Sequence, residues 1–291
     1  MQIRNVKRCG MKRLIGVICL VILLVAILTA CSFSIPAVEE EDRQVPGEQS
    51  GKAVREGTEP AATQDEAHED VAVSATAGSA LTEEEEAAFY LSEITDEIFA
   101  RIRGKSYKDD CTVPREELRY LHVLHKDLDG NVHEGEMIVN VHIAEDVMEI
   151  LKELYQADYP IEKIRLVDEY DADDEKSMED NNSSCFNFRF ISHTTRVSKH
   201  GLGLAVDINA RYNPYTKIVD GEQIIEPAMA VEYLDRDKDF PYKIDENDLC
   251  YKLFTAHGFE WGGNWENQKD YQHFEIPTDI IDEWYPGENV K

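Results

Sequence analysis

Apolar and polar positions change rhythm several times along the chain, and each change predicts an element. An unbroken apolar run occupies Leu14–Leu28. From Ser32 to about Ala80 the residues are Glu, Asp, Gln, Pro, Gly, Ala, Ser and Thr with scarcely an aromatic. That composition buries too little apolar surface to offset the entropy of ordering, so residues 31–80 are expected to form a disordered stalk. Helical spacing follows at Ala87, Leu91, Ile94, Ile98 and Ile102, behind a Thr82/Glu85 capping box and ahead of Gly104, and predicts one helix. Tyr120–Leu124 and Met137–Val141 flank Asp129-Gly130-Asn131, a hairpin signal. Val147, Ile150, Leu151 and Leu154 share one helical face of Ala144–Tyr155; Ile161–Val167 reads as a strand that runs into an acidic loop, 168–180. Residues 198–208 alternate as a strand, 209–248 have no regular pattern, and Leu249–His257 predicts a short helix closed by Gly258. A last alternating stretch holds Tyr271, His273 and Glu275. With no internal repeat, these elements predict one α+β domain over 81–291, a small, mostly antiparallel sheet flanked by helices.

Charge and cysteines then place that domain. The 291 residues carry a formal charge of −29, which a phosphate backbone repels, so nucleic acid is set aside as a partner. Arg4, Lys7, Arg8, Lys12 and Arg13 precede the apolar run, and Leu28-Thr29-Ala30-Cys31 follows it. The order fits a secretion signal over 1–30, and the tetrapeptide resembles the bacterial lipobox, in which the cysteine, here Cys31, receives lipid. An uncleaved membrane helix is the alternative. Either way the remainder is expected outside the cytoplasm, tethered to the membrane. Losing the five positive and no negative charges of the leader takes −29 to −34, and self-repulsion keeps an acidic stalk extended. Cys111, Cys185 and Cys250 would remain, an odd number that allows one internal pair at most or buried free thiols.

The candidate chemistry sits in two short stretches. Ser198-Lys199-His200-Gly201-Leu202-Gly203-Leu204-Ala205-Val206-Asp207 puts a histidine and a carboxylate on one strand, with Asp207 facing a site and Leu204, Val206 and Ile208 facing the core. Gly201 and Gly203 leave room beside His200. Asp270-Tyr271-Gln272-His273-Phe274-Glu275 supplies a second pair. If the strands lie side by side, His200, Asp207 and His273 make a three-ligand site, open at the fourth position, of the kind catalytic zinc occupies. Asp270 is then placed as a general base, and Arg189, or less favourably Arg196, as the cation for a developing oxyanion. Ser198 and Glu275 suit the task of orienting the histidine rings. His122, His125, His133, His142, His193 and His257 read as core or surface residues. Two faint calcium-loop echoes are discounted: Asp127/Asp129/Asn131 has Val132 where glycine is needed, and Asp235/Asp237/Asp239/Glu246 is interrupted by Phe240 and Pro241.

Ser198-x-His200-x-x-Gly203-x-Ala205-x-Asp207, with Trp261-Gly262-Gly263-x-Trp265 and Asp270-x-x-His273-Phe274-Glu275, resembles the D-alanyl-D-alanine carboxypeptidase (VanY-like) family of zinc peptidases, which share a fold with the hedgehog signalling domain. Asn181–Arg189 and Tyr212-Asn213-Pro214-Tyr215 also look like that family, so the resemblance spans about 181–277. It implies zinc on His200, Asp207 and His273, Asp270 as base, Arg189 as substrate or oxyanion ligand, and peptidoglycan stem peptides as substrate. Members that remove a terminal D-alanine tend to have Glu-x-x-His, whereas L-alanyl-D-glutamate endopeptidases more often have Asp-x-x-His-Phe. Asp270 thus tilts the expectation toward the endopeptidase, with the D,D-carboxypeptidase and a catalytically silent wall-binding lipoprotein as alternatives.

Overall fold

The computed structural model describes residues 80–191 and 194–285. The expected signal segment, Cys31 and the stalk short of Ala80 lie outside the described residues, as does His193. Among the described residues no helix is long and apolar enough to cross a membrane.

The expected hairpin forms the first layer. Strands β2 (Leu118–Lys126) and β3 (Val132–Asn140) pair antiparallel from Leu118↔Asn140 to Lys126↔Val132. Asp127 closes their turn: its Oδ1 accepts the backbone N–H groups of Asp129 (3.0 Å) and Asn131 (2.9 Å), and Oδ2 accepts from His133 Nε2 (2.8 Å). The Asp127 oxygens, one part of the calcium-loop echo, are therefore spent on the turn itself. Helix α3 (Ala144–Gln156) lays Val147, Ile150, Leu151 and Leu154 against this hairpin, as its spacing requires.

The single helix expected over 82–102 is instead two. Its capping box is present, with Thr82 Oγ1 accepting from Glu85 N and Glu85 Oε2 from Thr82 N, but α1 ends at Ala88 (Glu83–Ala88). Tyr90–Glu93 becomes β1 on the free edge of β2, with the Tyr90 ring stacked on His122 at 5.0 Å. Thr95 then caps α2 (Asp96–Ile102). An open sheet edge offers unsatisfied N–H and C=O groups, and pairing with it outweighs the helical spacing of Leu91, which is 39% exposed.

The Ile161–Val167 strand shrinks to β4 (Lys163–Ile164), parallel to β5 (Asn182–Ser183), and the acidic loop between them winds into a 3₁₀ turn (Val167–Tyr170) and α4 (Asp174–Glu179), capped by Asp173. The stretch read as irregular, 209–248, contains a hairpin: β7 (Tyr215–Val219) and β8 (Glu222–Glu226) around Asp220-Gly221, both with positive φ. That dipeptide is a hairpin signal the periodicity reading passed over.

The site is built by β6 (Ala205–Asp207) and β11 (His273–Glu275). Strand β11 lies between β6 and β9 (Glu260–Trp261), and β10 (Gln268–Asp270) pairs with β7. Helix α5 (Leu249–Ala256) packs beneath, its Phe254 ring stacked on Phe274 at 4.3 Å, and α6 (Thr278–Trp284) closes the described chain. The class is α+β with small antiparallel sheets, as expected. Cys111, Cys185 and Cys250 are all free thiols.

Candidate metal centre

Strand register brings the two halves of the site together. Antiparallel pairing of β6 with β11 sets His273 opposite Asp207, Phe274 opposite Val206 and Glu275 opposite Ala205. Phe274 and Val206 point into the core, so by alternation His273 and Asp207 share the other face. His200 arrives differently from the strand expected for it: it opens a 3₁₀ turn (His200–Leu202). Gly203 ends that turn at φ +69°, where a Cβ would lie 2.8 Å from Asn140 N. Gly201 has the same reason to be small, since a Cβ there would come within 2.9 Å of Arg189 O. The room that these glycines make is filled by the Asn140 and Arg189 backbone and the Val197 side chain. Asn209, two residues beyond Asp207, lies at φ +49° and is buried: its Oδ1 accepts from Glu162 N (3.1 Å) and its Nδ2 donates to Pro160 O (2.9 Å).

His200, Asp207 and His273 converge with ligand atoms all within 4.8 Å of one another. His200 Nε2 lies 3.2 Å from Asp207 Oδ2 and 3.1 Å from His273 Nδ1, which lies 3.1 Å from Asp207 Oδ1. The remaining ring nitrogens fix the tautomers. Cys185 O can only accept, so His200 Nδ1–H donates to it (2.8 Å) and leaves a lone pair on Nε2; Glu275 Oε2 accepts from His273 Nε2 (2.9 Å) and leaves one on Nδ1. Two imidazole lone pairs and a carboxylate thus face one another across about 3 Å, three acceptors that only a shared proton or cation can satisfy. Two nitrogens and one carboxylate oxygen fit a catalytic zinc site.

The ionisation pattern says the same. Burial disfavours charge on Asp207, His273 and Glu275. Against it, His200 and His273 hold the Asp207 carboxyl well below the usual range. Bonds to Asp207 and Glu275, with the charges of Asp270 and Asp207, push His273 up to about 10. Glu275 is held at about 2 by the His273 bond and by Lys199, whose Nζ lies 2.9 Å from Glu275 Oε1 and donates to Ile276 O (2.7 Å). The centre draws positive charge to itself.

Asp270 stands at the end of β10, with Tyr215 of β7 opposite it. Burial, with the charge of Asp207 adding and that of His273 opposing, pushes its carboxyl up to about 8. Its Oδ1 is buried and has no hydrogen-bond partner among the described residues. A carboxyl so placed is suited to take and release a proton. Gly262 is needed for its approach, because a Cβ there would lie 2.6 Å from Asp270 O and 2.8 Å from Asp270 Cβ, and the Trp261 ring occupies the space a Gly263 side chain would fill.

Arg189 lies at the margin. Its Nε is 2.6 Å from Asp174 Oδ2 on α4, and its charge reaches Asp270, lowering that carboxyl somewhat. Arg196 is exposed, its carbonyl accepting from Ile191 N (2.8 Å), and is not brought to the cluster. Ser198 is buried but contributes backbone: its N–H donates to Arg189 O (2.9 Å), and the orienting of His200 expected of it is done by Cys185 O. Lys199, Asp174 and the Cys185 carbonyl are the participants that sequence reasoning missed. A carbonyl has no signature in sequence, and Asp174 lay within a stretch read as solvated acid. His122, His125, His133, His142 and His257 stand outside the cluster.

The family model described as D-alanyl-D-alanine carboxypeptidase matches residues 192–276, which include His200, Asp207, Asp270 and His273. This segment is similar to that carboxypeptidase family. No curated protein and no solved structure gives a significant match. Arg189 precedes the matched span, and so does the whole of the β1–β3 sheet. The match supports a peptidase activity for the segment it covers.

Proposed function

We propose that this protein is a zinc peptidase that hydrolyses an amide bond in peptidoglycan stem peptides, most readily the L-alanyl-D-glutamate bond. The observation that carries the reading is the convergence of three acceptors, His200 Nε2, His273 Nδ1 and the Asp207 carboxylate, with a buried Asp270 carboxyl oxygen that has no partner among the described residues. His200, Asp207 and His273 would hold the zinc, which when bound supplies an acidified water and a Lewis acid for the scissile carbonyl. Asp270 takes the proton of the attacking water and delivers it to the leaving amine. Arg189, steered by Asp174, places positive charge beside the reacting carbonyl. Glu275 and the Cys185 carbonyl keep each ring in the tautomer that presents its lone pair. In keeping with the acidic surface and the leader, the enzyme works outside the cytoplasm on a Cys31 lipid anchor and an extended stalk.

What supports endopeptidase over carboxypeptidase is the aspartate at position 270, where terminal-D-alanine peptidases of this family tend to carry glutamate. Digestion of defined muropeptides by the purified, zinc-loaded protein decides between them. Cleavage after L-alanine is the expected result. Release of free D-alanine alone would establish the carboxypeptidase, and no hydrolysis with zinc bound would leave the silent wall-binding reading.

A further inference from the structure

The segment between the two halves of the site is tied to the turn that carries the base. Asn213 is fully buried with all its side-chain capacity used: Oδ1 accepts from Arg236 Nη2 (3.0 Å) and Ile244 N (2.9 Å), and Nδ2 donates to Asn209 O (3.0 Å) and Tyr242 O (2.8 Å). Arg236 also donates to the carbonyls of Tyr212 (2.9 Å), Tyr233 (3.3 Å) and Ile244 (2.7 Å). Every one of these acceptors is neutral. In a chain of net charge −29, this cation is partly buried and, among the described residues, is bonded to no carboxylate. Its guanidinium lies over the Tyr271 ring, 4.3 Å from the centroid, with Phe240 at 5.0 Å.

Tyr271 and Gln272 are the two residues that join β10, which ends in Asp270, to β11, which begins with His273. Tyr271 O accepts from Trp261 Nε1 (2.9 Å), and Gln272 O accepts from Ile208 N (3.0 Å), one residue beyond Asp207. A link this short has little slack. Tilting the Tyr271 ring tilts the link, and Asp270 moves relative to His273.

We propose that Arg236 is a positioning residue of the peptidase site: held by Asn213 and three carbonyls, it clamps the Tyr271 ring and thereby sets where Asp270 stands against the His200–Asp207–His273 cluster. This rests on the peptidase reading. A carboxyl displaced by a fraction of an ångström still leaves the metal ligands intact, so the clamp acts on turnover and spares metal binding.

The test uses the full chain with Arg236→Met, Arg236→Lys, Tyr271→Leu and the double variant Arg236→Met/Tyr271→Leu, with Lys238→Ala, an exposed partner of Asp235, as control. Arg236→Met is expected to lower kcat on the order of tenfold to a hundredfold. KM stays within about twofold and zinc content is unchanged, because substrate and metal contacts are elsewhere. Tyr271→Leu gives a similar loss, the double variant is no worse than either single one, and the control matches wild type. Arg236→Lys, which keeps the charge but cannot reach both Asn213 and Ile244, shows the loss in milder form and decides the matter should Arg236→Met fold poorly. Multiplying losses in the double variant, an unchanged kcat, or a parallel loss of zinc would overturn the proposal. Amide hydrogen exchange separates it from the peptidase reading. In Arg236→Met the Ile208 amide, which donates to Gln272 O, exchanges faster while the β2–β3 hairpin does not; a uniform change, or none, defeats the clamp even if hydrolysis is affected. If wild type cleaves no stem peptide, the peptidase reading falls and the exchange result alone decides the clamp.

Discussion

Replacing Glu275 by glutamine tests how the centre is tuned. Glu275 Oε2 accepts from His273 Nε2 at 2.9 Å while Oε1 pairs with Lys199 at 2.9 Å, and the two side chains are 15% and 14% exposed. Burial pushes the Glu275 carboxyl up, but the His273 bond and the neighbouring positive charges outweigh it and hold the carboxyl at about 2 instead of 4.5. A depressed carboxylate contributes stability that is present above 4.5 and is lost as pH falls through 2. At about 1.4 kcal/mol per pH decade the ceiling is about 3 kcal/mol. Glutamine still offers His273 an acceptor, so the loss at pH 7 should be about 1–2 kcal/mol, the charge-assisted part of the bond. Urea unfolding of the metal-free protein at pH 7 and pH 4 measures it: the variant is less stable at pH 7, and the gap narrows toward low pH. Zinc affinity, by competition with a chromophoric chelator, falls about 10- to 100-fold because His273 loses the anion that strengthens its Nδ1 as a donor. A Glu275→Gln variant with wild-type zinc affinity and a parallel pH dependence would refute the reasoning, since His273 would then owe neither tautomer nor basicity to Glu275.

Asp270→Asn should abolish hydrolysis while leaving zinc content at wild-type level, measured by metal analysis and muropeptide digestion on the same preparation; joint loss would make Asp270 a ligand. His200→Ala should instead remove both. Gly203→Ala places a Cβ 2.8 Å from Asn140 N at φ +69° and should cost about 1–3 kcal/mol, read as a lowered Tm. Asp248 is raised to about 6, chiefly by burial, although Tyr159 and the Cys250 amide bond it. A raised carboxyl loses stability as pH climbs from 3.8 to 6, so Asp248→Asn, which can still cap α5, should gain up to about 3 kcal/mol at pH 7 and flatten the decline that wild type shows across that interval.

The elements legible in sequence were those whose pattern is local. The Val147/Ile150/Leu151/Leu154 face, the Asp129-Gly130 turn and the Thr82/Glu85 capping box each contain their own instruction, because the partner lies within a few residues. Where a partner came from far along the chain, pattern failed. Tyr90–Glu93 left the helix for the edge of β2, and β10 joined the β7–β8 hairpin from beyond α5 and β9. The centre divides in the same way. His200, Asp207, Asp270 and His273 stand out by type and spacing, but the turn that carries His200 is imposed by close packing of Gly203 on Asn140 and Gly201 on Arg189.

By itself, then, the chain's sequence determined which atoms are available to the chemistry: two histidines, their carboxylate, a base, and glycines where nothing larger fits. Tertiary structure alone decided how they meet. Register of β6 against β11 put His273 across from Asp207, the Cys185 carbonyl and Glu275 chose the tautomers, and burial among three carboxylates moved the proton affinities of His273 and Asp270. The reason is physical: hydrogen-bond direction and desolvation depend on what surrounds an atom in space, and spacing along a chain does not encode it.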